Sequence, residues 1–139
     1  MAMKLVIDTN ILISAMLRDS TTRRILLSAS IEFLTAGYSI QEVMEHLEEV
    51  CKKNGVSRDK NLDILQRLQK HVRIVEIDDE SGVQEEAEDL MRKIDPDDAP
   101  VIAAALSVDC DGIWSEDPHL LKQDMVRIWR TRDLIQFIK

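Results

Sequence analysis

The chain is poor in the residues that build disulfide scaffolds, hinges and glycine-rich loops. Its 139 residues include only two cysteines, three prolines, four glycines and three histidines. Cys51 and Cys110 stand in no CxxC or zinc-type pattern, so both are expected to be reduced, mostly buried apolar side chains of a cytoplasmic protein. The glycines form no phosphate-binding loop, and neither they nor the prolines gather into a linker. His46, His71 and His119 lack HxxxH or any similar ligand spacing and are expected at or near the surface. Aromatic residues make up 4% of the chain, and Trp114 and Trp129 fall inside apolar strand candidates, which makes them core rather than base-stacking platforms.

Long apolar runs are also missing. None approaches the roughly 20 residues needed to span a bilayer. The stretch from Met1 to Asp8 is too short for a signal-peptide core and has no small-residue cleavage site. With no repeat or low-complexity segment, a single domain over 1–139 is expected, long enough to bury a core without disulfides or a structural metal.

What the chain has in quantity is charge. Hydrophobic residues make up 45% and charged ones 32%, the composition of a soluble globular domain, and the net charge is −8. That sign opposes static binding of nucleic acid, which favours basic surfaces. An acidic protein needs a reason to approach phosphate, and divalent cations held by clustered carboxylates would supply one by inverting the local field.

Hydrophobic patterning predicts alternating strands and helices. KLVID (4–8) is a short apolar run consistent with a strand buried on both faces, and 10–17 follows as a helix. Thr21 or Thr22 is expected to cap a second helix through about Ser28, and EFLT (32–35) is the next strand. Ser39 opens a long amphipathic helix with Ile40, Val43, Met44, Leu47, Val50 and Cys51 on its apolar side, ending near Gly55. Ser57 begins another helix, with Leu62, Leu65 and Leu68 on one side. A strand over 72–77 and an acidic helix over 81–94 follow. Asp95-Pro96 fits an N-cap and first helical proline opening a helix to about Val108. GIWS (112–115) and VRIW (126–129) are further strands, and Thr131 caps a final helix. The alternation predicts a three-layer α/β domain whose central parallel sheet of about five strands has helices on both faces.

Four acids fall at informative points of that layout. Asp8 ends the first strand, Glu42 and Asp98 lie in first turns of helices, and Asp117 follows the GIWS strand by two residues. Sites in open parallel sheets form outside the carboxyl ends of strands, where chain direction places Asp8, Glu42 and Asp117, and Asp98 joins them if its helix packs beside the first strand. Each has a local explanation too. Glu42 completes a capping box with Ser39, Asp98 at N3 complements the helix dipole, and Asp117-Pro118 makes another cap. Asp8 is the hardest to explain locally, because an acid closing a buried strand must find partners. Two such charges about 4 Å apart repel by roughly 4 kcal/mol at an effective dielectric of 20, so a cluster implies a neutralising cation. Oxygen ligands without histidine or thiolate suit Mg²⁺ or Mn²⁺, which activate water against a phosphodiester. Arg18, Arg23 and Arg24 flank the first helix as candidate phosphate contacts, or form a solvated turn.

Four segments together resemble the PIN-domain family, which includes toxins of prokaryotic toxin–antitoxin pairs. VIDTNILISAML (6–17) resembles the opening strand of that family, with Asp8 as ligand and Thr9 and Asn10 as its companions. YSIQEVMEHLEEV (38–50) is similar to the segment with the second acid, DPDDAPVIAAAL (95–106) to the third and IWSEDPHL (113–120) to the fourth. The resemblance implies that Asp8, Glu42, Asp98 and Asp117 are catalytic and metal-binding, with Glu42 preferred to Glu45. It places Asn10 and Ser115 as supports that hold those carboxylates. It further implies a Mg²⁺- or Mn²⁺-dependent endoribonuclease leaving a 5′-phosphate, an inhibiting antitoxin partner, and a homodimer. Glu116 stands where the family commonly has a small polar residue, so it either adds a fifth acid or lies outside the site, and Asp95 is an accessory candidate. Two alternatives remain at this stage. One is a PIN-like binding module without catalysis. The other is a receiver-type phosphoacceptor domain, although VRIW is followed by Thr131 and Arg132 rather than the expected lysine.

Overall fold

A computed structural model describes residues 2–138 apart from 19, 29, 78 and 79. Its centre is a five-stranded sheet in the order β3-β2-β1-β4-β5, parallel throughout. The strands are β1 (Met3–Ile7), β2 (Ile31–Ala36), β3 (Val72–Val75), β4 (Ile113–Trp114) and β5 (Ile128–Trp129). Alternation along the strands sends side chains to opposite faces. Leu5, Ile7, Phe33 and Trp114 enter one core, and Val6, Leu34, Ala36 and Ile113 enter the other. The first core is covered by α1 (Thr9–Leu17), α2 (Thr21–Leu26), α3 (Gly37–Glu45), α4 (Leu47–Asn54), α5 (Arg58–Gln69) and the short α8 (Thr131–Leu134). The second is covered by α6 (Val83–Met91) and the alanine-rich α7 (Ala99–Leu106). These are the three expected layers. Both tryptophans are core, Trp114 fully and Trp129 nearly so. No helix among the described residues is long and apolar enough to cross a membrane.

The sheet order removes the receiver alternative. Receiver domains have the order 2-1-3-4-5, whereas here the chain runs outward from β1 to β3 and then returns to β1's other side with β4. The reversal leaves a topological switch point between β1 and β4, the place where parallel sheets form their sites.

Several local expectations are corrected by competing contacts. The long helix from Ser39 breaks at His46 into α3 and α4, and it begins earlier, at Gly37, with Ser39 buried inside. Ser39 is therefore no cap, and the capping box with Glu42 does not form. Gly55, at φ 68°, ends α4 in the left-handed conformation that glycine adopts without strain. Ser20, rather than Thr21 or Thr22, caps α2, which stops at Leu26. Asp8 caps α1, which starts at Thr9, one residue before the expected start. Arg130 takes the N-cap position of α8, where its backbone N–H donates to Asp133 Oδ2 at 2.8 Å, while Thr131 accepts from the Trp114 indole at 3.1 Å. The Asp95-Pro96 helix divides into a 3-10 turn (Pro96–Asp98) and α7, with Asp95 capping the turn. The strands over 72–77, 112–115 and 126–129 and the acidic helix over 81–94 are all shorter than patterning suggested. Ser57 caps α5 as expected.

Gly112 shows why β4 is so short. A Cβ there would stand 2.3 Å from the Arg127 carbonyl oxygen, and φ is 138°. Only glycine lets the chain enter β4 this close to β5. From there Ile113 N donates to Arg127 O at 2.9 Å and Ser115 N to Trp129 O at 3.0 Å.

Candidate active site

The site is assembled from four chain segments at the carboxyl ends of β1, β2 and β4. Asp8 leaves β1 and turns the chain into α1, its Oδ1 accepting from Ile11 N at 3.0 Å. Ser115 leaves β4, its backbone held by β5. Its hydroxyl donates to Asp8 Oδ2 and accepts from Asp117 N at 3.0 Å. One buried hydroxyl thus links two of the acids. Burial raises the Asp8 carboxyl above the usual carboxylate range, and the Asp117 charge adds to the rise. The Ser115 and Ile11 hydrogen bonds offset part of it.

Asp98 is brought in by the 3-10 turn before α7, which packs on β1, β2 and β4. Burial pushes its carboxyl up to about 8, reinforced by a shared hydrogen bond with Asp117 and by the charges of Asp117, Asp95 and Asp8. Among the described residues, Asp98 Oδ2 is the one buried side-chain oxygen or nitrogen without a hydrogen-bond partner. Such an orphan costs about 1–3 kcal/mol, more when charged, unless something outside the protein satisfies it.

Ligand atoms of Asp95, Asp98, Asp117 and His119 all lie within 4.8 Å of one another. The histidine was missed by patterning because its signal is local. In Asp117-Pro118-His119 the aspartate accepts from the His119 backbone N–H at 2.9 Å, a tight turn that folds the ring back on the acids. His119 Nδ1 stands 3.1 Å from Asp117 Oδ1 and 3.4 Å from Asp95 Oδ2. Asp95 caps the turn through Oδ1, as expected, and its Oδ2 faces the imidazole.

Glu42 reaches from α3 into a cleft shared with Asp8 and Asp98, where Thr9 Oγ1 donates to its Oε1 at 2.7 Å. Asp95, Asp117 and His119 line an adjoining pocket that shares Asn10. The cleft encloses about 260 Å³ and is lined by Asp8, Thr9, Asn10, Glu42 and Asp98, among others, while Glu45 is not on its wall. Asn10 lines the cleft, and its backbone N–H also donates to Asp8; the side-chain support of the carboxylates comes from Thr9 and Ser115. Glu116 points away, accepting from Thr131 N at 2.6 Å and lying 3.7 Å from Arg130 Nε, so it belongs to the start of α8. Arg23 is likewise structural, donating to the Ala15 and Met16 carbonyls at 2.6 and 3.1 Å and closing the end of α1. Arg18 and Arg24 do not line the cleft.

The donor set fits a divalent cation. Three of the four converging ligands are carboxylates, one presents an unsatisfied buried oxygen, and the repulsion that lifts Asp98 is what a cation would relieve. A parallel α/β sheet with an acid cluster at its switch point defines the class: an α/β domain with a carboxylate site suited to divalent metal. The PIN-domain family model matches residues 6–138, and the chain belongs to that family, whose members are generally nucleases that use divalent metals. No curated protein matches the sequence.

Proposed function

We propose that the protein is a Mg²⁺- or Mn²⁺-dependent endoribonuclease. The observation that carries the proposal is the convergence of Asp95, Asp98 and Asp117 beside a buried, unpartnered Asp98 oxygen within a PIN domain. Asp98 and Asp117 would hold the ion with Asp8, and Asp95 or His119 would complete its surroundings. When bound, such an ion lowers the pKa of water and neutralises charge on the scissile phosphate.

The chain's own residues supply the orientation. Ser115 fixes Asp8 and the Asp117 backbone in one arrangement. Thr9 fixes Glu42 across the cleft, where its carboxylate can orient or deprotonate the attacking water. The His119 imidazole bridges Asp95 and Asp117, holding both side chains while leaving the buried Asp98 oxygen facing the site.

The test is cleavage of a mixed RNA pool by wild type, Asp8→Asn and Asp98→Asn in Mn²⁺ and in EDTA. Wild type should cut only with metal, and each variant should be folded and inactive, because a neutral amide is a poor ligand for a hard cation. Undiminished, EDTA-insensitive cleavage by both variants would overturn the proposal. Metal binding by wild type without any cleavage would favour a PIN-like binding module instead.

A further inference from the structure

The acid-lined cleft has a second wall that the chemistry above does not use. His46, Glu49, Val50 and Lys53 line it from α4, and their three- and four-residue spacings place them in one stripe of the helix. Among the described residues, Lys53 is the only lysine or arginine on the cleft wall, which also carries the carboxylates of Asp8, Glu42, Glu49, Asp97 and Asp98. A polyanionic substrate entering such a groove meets one permanent cation supplied by the protein.

That cation is exposed, and among the described residues it has no ion-pair partner. Many other exposed cations among the described residues are unpaired too, while Arg67, Arg73, Arg92 and Arg130 face Asp63, Glu32, Asp89 and Glu116. Its place on the cleft wall is what sets Lys53 apart. Arg23 is committed to the carbonyls of α1. The helix also places Lys53 away from Asp8, although Glu49 lies one turn before it on the same stripe. Its neighbour Asn54 donates to the Met16 carbonyl at the end of α1, at 3.4 Å, whereas Asp8 caps the start of α1. Eight residues of helix separate those two points, about 12 Å. Lys53 therefore lies towards the end of the groove away from Asp8, placed to meet a different phosphate of the same strand.

We propose that Lys53 binds a backbone phosphate of the RNA away from the cleaved bond, so that the substrate strand runs from the acid cluster along α4. The proposal rests on the nuclease reading above. Lys53 also lies in the last turn of α4, where the helix dipole favours a cation, but Lys52 satisfies that preference equally without facing the cleft. The pair separates substrate binding from helix stabilisation.

Steady-state cleavage of a fluorescein-labelled, single-stranded RNA of mixed sequence, in Mn²⁺ over a range of monovalent salt, tests this with Lys53→Gln, Lys53→Arg and Lys52→Gln. Each phosphate contact to a single strand contributes a slope of about 0.7 in log affinity against log salt. Lys53→Gln should therefore raise KM about fivefold at about 0.1 M salt relative to a common limit near 1 M, with a slope shallower by about 0.7 and kcat unchanged. Lys53→Arg should restore wild-type behaviour, and Lys52→Gln should retain it throughout. A Lys53→Gln enzyme matching wild type in KM and slope, or a Lys52→Gln enzyme shifted equally, overturns the assignment of Lys53 alone. Absence of metal-dependent cleavage by wild type overturns the nuclease reading itself.

Discussion

At the scale of single residues, Asp98 shows the electrostatic tension of the site most directly. Its carboxyl is pushed up to about 8 by burial, by hydrogen bonding with Asp117 and by three neighbouring acids, against 3.8 for a free aspartate. Raised in the folded state, this group contributes stability that is complete below about pH 4 and disappears as pH climbs through about 8, since the fold increasingly opposes the charged form. Asp98→Asn is neutral throughout and escapes that loss. In EDTA, the melting temperature of the variant relative to wild type should therefore rise steadily between about pH 4 and 8. A difference that stays flat over this range would mean that Asp98 ionises as a solvated cap does. A lower melting temperature for the variant, growing with pH, would mean that the carboxylate is stabilised by the helix it precedes.

At the scale of elements, the start of α3 at Gly37 decides which of Glu42 and Glu45 enters the cleft. Had the helix begun at Ser39, Glu42 would have been tied to the Ser39 amide. Starting at Gly37 instead buries Ser39 and turns Glu42 towards Thr9, which follows Asp8 directly in the chain. Glu45, in the last turn of α3, is exposed and remains off the cleft wall. Glu42→Gln should lose at least tenfold in kcat if the carboxylate contributes acid–base help, whose usual range is about 10²–10⁴. Glu45→Gln should keep wild-type rates. Single-turnover cleavage of one RNA by both variants measures this, and equal or reversed losses would place the working carboxylate one turn further along.

At the scale of the molecule, an acidic domain with a net charge of −8 gathers several carboxylates at one sheet edge. A cation that binds only the folded arrangement should stabilise the whole chain by mass action, by about 2.7 kcal/mol at 100 times its dissociation constant. Thermal melts in Mn²⁺ and in EDTA should show that gain for wild type and much less of it for Asp98→Asn. A wild type indifferent to Mn²⁺ would reduce the cluster to separate turn and helix caps that happen to be neighbours.

The layers, the parallel sheet and the opening acid were legible in the sequence, because they rest on periodicity and on short-range chemistry. Apolar runs such as KLVI can be buried only as central strands, and an aspartate ending one of them must be held by something. Asp8, Glu42 and Asp117 could be named from chain direction, since the carboxyl ends of parallel strands share one edge, whereas Asp98 depended on α7 packing beside β1. What periodicity could not contain was competition between neighbours. Whether Ser39 capped a helix or lay buried, whether Glu116 faced the acids or α8, and whether Arg23 faced solvent or the end of α1 each depended on a partner distant in sequence or on the packing around it. The arrival of His119 beside Asp95 and Asp117 depended on a two-residue turn and on α7 packing against the sheet. The sequence by itself determined which residues had to be buried and which acids sat at strand ends. Only the tertiary structure decided which polar groups found one another, because a hydrogen bond or a shared charge is satisfied by position in space and leaves no period along the chain.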